Sequence, residues 1–414
     1  MEKNFSRNWS LFALILAGES IFFLPFVIPR VFRPTVLEVF GIDNFQLGTF
    51  FSVYGTIAIL AYLLGGPIAD RFAPSKLMST ALTLTALGGI FLSTIPDISH
   101  MPWLYGFWGI STILLFWAAL FKTTRLIAGK AQGFAFGLLD GGRGLTSAIV
   151  STLAAWVFAV LIGDQIEMIT DLERKEAFQK VILFFSAFVF LAALLINRII
   201  RSVDHLGFDM DQKIDLKHIS KVARMPAVWL QAFIILCGYS GYKVSDDFSL
   251  LAQDVLGYDE VKAAGIGALS LWLRPIAAVG AGLLADKVSA SRMILICFAL
   301  MVFAAGSFGL GFFEGAVVIH VMFLIVSTSI AVFALRGLYF AIMEEAKIPL
   351  ALTGTAVGIA SIIGYLPDIF MGPTMGYLLD NSPGKLGHQH VFLFIAGIAA
   401  LGFLITLVFR RVVR

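Results

Sequence analysis

Gly66-Pro-Ile-Ala-Asp70-Arg71-Phe-Ala-Pro-Ser-Lys76 returns later in the chain as Gly282-Leu-Leu-Ala-Asp286-Lys287-Val-Ser-Ala-Ser-Arg292. Each copy is a short polar gap between two long apolar runs. Each reads Gly-x-x-x-Asp-basic, with another basic residue five positions further on. A second echo follows at nearly the same offset, Gln132-Gly133-Phe-Ala-Phe-Gly137 against Thr353-Gly354-Thr-Ala-Val-Gly358. Internal repeats of this kind in an apolar chain are how many transporters are built. They turn the functional question from a reaction to a solute.

The composition around the repeat fits a membrane setting. Hydrophobic residues make up 59% and charged residues 14% of 414 positions, and the mean hydropathy is +0.90. A soluble domain carries about 25% charged residues, so lipid is the expected solvent for most of this chain. A bilayer core needs about 20 apolar residues per helix. On that basis twelve runs stand out, near 9–31, 46–70, 77–96, 102–127, 132–162, 179–200, 227–252, 261–286, 292–312, 315–343, 352–378 and 390–410. The first is too long for the apolar core of a signal peptide and lacks a small-residue cleavage site, so a retained helix is expected. Cys237 and Cys297 lack metal or redox spacing and are expected to pack. The net charge of +3 is spread over the loops and gives nucleic-acid binding no support.

Lys and Arg concentrate in alternate loops. One set holds Arg71, Lys76, Lys130, Lys287, Arg292 and Lys347, and the tail adds Arg410, Arg411 and Arg414. The opposite set is richer in acid, with Asp164, Glu167, Asp171 and Glu173. The positive-inside rule therefore puts both termini in the cytoplasm. Residues 201–226, polar and mixed in sign, divide the chain into six-helix units at 1–200 and 227–414, with a surface helix possible near Leu216–Val222. The expected fold class is an all-α membrane protein of twelve helices in two pseudo-symmetric bundles.

With the repeated loop phrase after the second and eighth runs, the chain resembles the major facilitator superfamily. In that family the loop phrase forms a charge and helix-cap latch on the cytoplasmic side. The resemblance thus implies a latch role for Asp70, Arg71 and Lys76, echoed by Asp286, Lys287 and Arg292. Ala73-Pro74-Ser75 departs from the family's Gly and basic residues, which implies a weaker latch. Phe116-Trp117-Ala-Ala-Leu-Phe-Lys122-Thr-Thr-Arg125, Leu139-Asp140-Gly-Gly-Arg143-Gly144, Arg336-Gly-Leu-Tyr-Phe-Ala-Ile-Met-Glu344-Glu345 and Gly364-Tyr-Leu-Pro-Asp368 are similar to a YihN-like branch of bacterial inner-membrane proteins, distantly related to organophosphate and anion porters. The substrate is not implied.

Charged residues at helix centres cost about 2.5–3.5 kcal/mol on insertion scales, so those inside the runs should face the interior. Counted inward from the run ends, the mid-membrane set is Glu19, Asp140, Arg143, Lys243, Arg274 and Asp368. Arg143, with its bidentate fork, is a candidate anion clamp, as are Lys243 and Arg274. Tyr239 and Tyr242, in Cys237-Gly-Tyr-Ser-Gly-Tyr-Lys243, belong to the least lipid-compatible stretch and are candidate solute contacts. Glu19, Asp140 and Asp368 are either proton carriers or structural partners of the cations: Glu19 with Arg143 or Arg274, Asp140 with Arg143, Asp368 with Arg274. Asp246 could neutralise Lys243. Arg336, with Glu344 and Glu345, is expected to form gate pairs, and Lys122 and Arg125 to snorkel to the interface. His388 and His390 are expected in an exposed outer loop.

No nucleophile–base set, metal cluster or phosphate-binding glycine loop is present in the sequence, so neither an enzyme nor a cofactor is expected. The expected function is secondary transport of a small polar, anionic organic solute by alternating access, driven by protons or anion exchange. Export of an amphipathic compound or lysolipid is the alternative. The expected partners are the solute and membrane lipids, and the chain is expected to be a monomer.

Overall fold

In a bilayer every backbone N–H and C=O must find its partner inside its own segment, and the apolar runs accordingly become helices. The computed structural model describes residues 2–128, 132–163, 169–202, 216–312, 317–348 and 353–413, and all regular structure among them is helical. The first half contributes α1 (Glu2–Ser20), a π-helical stretch at Phe23–Val27, α2 (Ile28–Val31), α3 (Arg33–Phe40), α4 (Asn44–Arg71) and α5 (Pro74–Ser93). It continues with α6 (Met101–Gly109), a second π-helical stretch at Ile110–Trp117, α7 (Ala118–Ala128), α8 (Gln132–Ile162) and α9 (Asp171–Ile199). After α10 (Leu216–Ala223) come α11 (Pro226–Lys243), a 3-10 turn at Val244–Asp247, α12 (Phe248–Leu256), α13 (Glu260–Val288) and α14 (Ala290–Gly309). The chain ends with α15 (Val317–Leu338), α16 (Ile342–Glu345), α17 (Thr353–Gly364), α18 (Pro367–Asn381) and α19 (Lys385–Val412).

Among the described residues ten segments are long and apolar enough to cross a membrane, and Asn8–Ser20 with Phe23–Val31, bent by 41°, make an eleventh if taken as one span. That is short of the expected twelve. The run expected at 227–252 is the broken rod α11–α12, whose middle carries Lys243, Asp246 and Asp247. The acidic stretch at Asp171 and Glu173 is the first turn of α9, not loop. Thr170 and Glu173 form a reciprocal capping box there, which starts the helix before its apolar run. Asp164, Glu167 and Lys130 lie outside the described residues.

Helices in lipid gain little from excluding water, so close backbone approach holds them together. The two halves of the chain meet along α4 against α18 and α8 against α13. At Gly372 an added Cβ would stand 2.7 Å from the Gly48 carbonyl oxygen, and at Gly55 2.7 Å from that of Asp368. Outward-facing side chains such as Ile319, 75% exposed, Leu404 and Ile276 form the lipid-facing surface. The expected surface helix of the linker is α10. Its Val222 is buried among Val228, Met343, Ile348 and Ala356, tying the linker to the second half. Cys237 and Cys297 are free and buried, as packing residues should be.

Candidate functional site

Between the two halves lies an open-mouthed cavity with about 90 Å³ of room for the centres of water-sized molecules. Interrupted helices build its wall. Phe22, Phe26 and Val27 come from the bend and π-helical stretch after α1; Ile113 and Trp117 come from the second π-helical stretch. Tyr242 and Lys243 end α11 at its 3-10 turn, while Tyr365 and Asp368 flank the break between α17 and α18. Such interruptions concentrate at functional sites and at the midplane of transporters.

Glu19 lies between two arginines. Arg274 donates from Nη1 to its Oε1 at 2.8 Å, and Arg143 Nε stands 3.2 Å from its Oε2. The second contact is an ion pair without hydrogen-bond alignment, which leaves Arg143 Nε and Glu19 Oε2 buried and unsatisfied. Asp140 adds a second carboxylate, 3.4 Å from Arg274 and 3.9 Å from Arg143. Glycines make room for the two cationic stems: a Cβ at Gly18 would lie 3.2 Å from Arg143 Cδ, and one at Gly144 3.0 Å from Arg274 Cγ.

Lys243 centres the second cluster. Its Nζ is 3.2 Å from Asp368 and 3.6 Å from Asp246, and 4.7 Å from the centre of the Phe26 ring. Tyr239 donates its hydroxyl to Asp368 at 3.0 Å. Asp246 is held more tightly by Arg30, whose Nε donates at 2.6 Å. Of the alternatives open to Arg274 in the sequence, pairing with Asp368 is therefore not the one the structure adopts. Arg274 turns toward the first half, where Glu19 and Asp140 lie, and Lys243 takes Asp368.

Arg336 was expected at a gate with Glu344 and Glu345. Its side chain instead lines the cavity, stacked 4.0 Å over the ring of Tyr242 and 5.8 Å from Tyr239. Among the described residues no carboxylate comes within ion-pair distance of its guanidinium. Tyr62 and Tyr365 stack across the halves at 6.2 Å beside it. Glu345 accepts from the Ser291 N–H at 2.8 Å in the first turn of α14, a favourable place for a carboxylate.

One end of the cavity is closed by contacts between the halves. Besides Arg30–Asp246, Arg33 donates to the Asp246 carbonyl oxygen at 3.2 Å and Ser249 to that of Arg30 at 2.9 Å. Thr35 donates to Glu260 at 2.8 Å, and Arg174 pairs with both Glu260 and Glu38 at 2.7 Å. Asp380 accepts from the Asn44 and Phe45 N–H groups at 3.2 and 2.7 Å, a carboxylate of one half at the helix N-terminus of the other. Burial and the neighbouring Glu260 push the Glu38 carboxyl above its ordinary range, against the pull of Arg174.

The loop phrase lies at the opposite end. Arg71, Lys76, Lys287 and Arg292 are exposed there, while the side chains of Asp70 and Asp286 lie outside the described residues. Lys122 does more than snorkel: its ammonium donates to the Ala69 carbonyl at 3.1 Å, near the end of α4, where a cation complements the helix dipole. His388 is not exposed. It is fully buried in the first turn of α19, 2.7 Å from Asp247 and 3.2 Å from Asp254. The helix begins at Lys385, five residues before the expected run, and turns this side chain inward. Among the described residues no set of three or more His, Cys, Asp or Glu could share a metal ion.

The chain belongs to the Major Facilitator Superfamily, whose family model matches residues 10–371. It is 26% identical to Inner membrane protein YqcE of Escherichia coli (strain K12), over 99% of this chain and 96% of that one. It is also 26% identical to Inner membrane protein YihN of the same strain, over 96% and 94%. A crystal structure of a bacterial homolog of the human lysosomal transporter Spinster, inward-facing and occupied, superimposes with a TM-score of 0.74. That match covers 98% of this chain and 97% of the other at 14% identity, a likeness of fold. The protein is a multi-pass membrane protein with a transporter fold.

Proposed function

We propose that this superfamily member is a secondary transporter of a small polar, anionic organic solute, working by alternating access in a bacterial inner membrane. The observation that carries the anionic character is Arg336, a cavity-lining cation with no carboxylate partner among the described residues. Arg143, Arg274 and Lys243 already have carboxylates, so they serve as the frame that keeps the site cationic and ordered. Tyr239 and Tyr242, packed against Arg336, supply ring surface to the solute body. Asp368, Glu19 and Asp140 are the groups through which a proton could be coupled, since each can exchange a cation partner for a proton.

The units are 1–200 and 227–414, joined by 201–226, with α11–α12 completing twelve spans. The loop-phrase end, with Arg71, Lys76, Lys287 and Arg292, faces the cytoplasm along with both termini. Asp70 and Asp286 belong to the latch there, and the form described is closed toward the outside. The protein works as a monomer. Export of amphipathic compounds fits less well, because five cationic side chains line the cavity.

The test is uptake of labelled anions into liposomes holding the purified protein. Accumulation that needs a gradient and is abolished in Arg336→Gln is expected. Transport of lipophilic compounds alone would transfer the assignment to the exporter reading.

A further inference from the structure

The charged side chains around the cavity do not pair off evenly. Arg30, Arg143, Lys243, Arg274 and Arg336 line it. The carboxylates facing them are Glu19 and Asp368 in the wall, with Asp140 and Asp246 paired to wall cations. Each of the four carboxylates lies within 3.4 Å of a guanidinium or ammonium group and is matched with it as one charge pair. Five cations face four anions, and the unmatched one is Arg336. Arg33 stands outside this set: it lies at the closed end, where Asn44 accepts from it and in turn donates to Asp380.

We propose that the solute is a singly charged organic anion, a carboxylate or sulfonate with an uncharged body, and that doubly charged phosphate esters are rejected. This rests on the anion-transporter reading above and sharpens it. Alternating access passes through a state in which the loaded cavity is sealed from water. In low dielectric an unbalanced charge is strongly disfavoured. A monoanion on Arg336 brings the sealed cavity to neutrality. A neutral solute leaves one positive charge, and a dianion leaves one negative charge among four carboxylates. A phosphate monoester, whose second ionisation lies near pH 6, enters on equal terms only after taking up a proton.

The test measures dissociation constants on the full-length detergent-purified protein at about pH 7.5, using pairs matched in skeleton and differing in charge. The probes are gluconate with glucose 6-phosphate, lactate with glycerol 3-phosphate, and benzoate with phenyl phosphate, with glucose as the neutral control. The monoanion of a binding pair should be favoured by about tenfold or more, since like-charge juxtaposition is strongly unfavourable. Asp140→Asn raises the cavity charge by one and should shift preference toward the dianion of the same pair. Asp368→Asn repeats the change from another position in case the first variant fails to fold. Tighter dianion binding in the unmodified protein, or an unmoved preference in both variants, overturns the charge-matching inference and leaves the anion transporter standing. Binding of glucose with no response to any anion removes both.

Discussion

Arg274, in the second half of the chain, donates to Glu19, in the first, at 2.8 Å. Because this pair crosses the halves at the depth of the cavity, any relative movement of the halves must re-form it. Arg143 shares the same carboxylate from the other side. Glu19→Gln would leave two buried guanidinium groups with Asp140 as their carboxylate. Breaking a buried pair from one side costs about 3–5 kcal/mol. Adding Arg274→Met should recover a large part of that loss, as coupled residues do in a double-mutant cycle. Denaturation of the purified single and double variants checks this, and additive losses would contradict it.

Arg30 and Asp246 hold the closed end at 2.6 Å, both nearly buried. Asp246→Asn removes the ion pair while keeping the shape. A bias of about 5.5 kcal/mol moves a two-state equilibrium from one extreme to the other, so this single change should populate the alternate form measurably. Spin labels at the exposed positions Leu172 and Leu386, one in each half, should report a new longer distance. A distribution identical to the parent protein would mean that this pair does not hold the closure.

Gly372 leaves no space for a methyl group. A Cβ there would stand 2.7 Å from the Gly48 oxygen and 2.9 Å from its Cα. Gly372→Ala should therefore destabilise the closed end while leaving α18 helical, because alanine is the better helix former by about 1 kcal/mol. With a cysteine placed at the buried Met375, an impermeant maleimide should label the Ala variant faster. Equal rates would show that the close approach is not needed for closure.

Glu38 gives the closed end a pH dependence. Burial and Glu260 raise its pKa in the closed form, against Arg174. A carboxyl whose pKa is raised by closure binds protons more tightly when closed, so closure strengthens as the pH falls through that raised value and weakens as the pH rises above it. The window begins near the ordinary glutamate value of about 4.3 and extends upward. The label distances should shift toward the closed form as the pH is lowered toward the ordinary glutamate range, and Glu38→Gln should flatten that response.

Most of the helical frame was legible in the sequence, because apolar run length and loop charge record what the bilayer demands. The exceptions have specific causes. The run at 227–252 is broken since Lys243, Asp246 and Asp247 sit in its middle, and α9 starts before its apolar run because the Thr170–Glu173 box caps it there. The cavity wall was legible in part: Glu19, Arg143, Tyr239, Tyr242, Lys243, Arg274 and Asp368 line it, whereas Asp140, counted at the same depth, does not. The pairing was not. Depth counting gives height in the membrane but not azimuth, so it leaves Arg274 open between partners and places Arg336 at a gate. The same blindness left His388 in solvent, although a helix begun at Lys385 buries it. Arg30 and Glu38 lie near or beyond a run end, where charge is cheap and carries little signal.

The most direct measurement is thermal stabilisation of the purified protein by a panel of small organic anions, in the parent, in Arg336→Gln and in Arg411→Gln, the last an exposed arginine in the tail. A ligand that binds only the folded form adds about 2.7 kcal/mol at 100 times its dissociation constant. Stabilisation by at least one anion, lost in Arg336→Gln and kept in Arg411→Gln, is the predicted result. Equal stabilisation in all three, or stabilisation by lipophilic compounds alone, would contradict an anion site at Arg336.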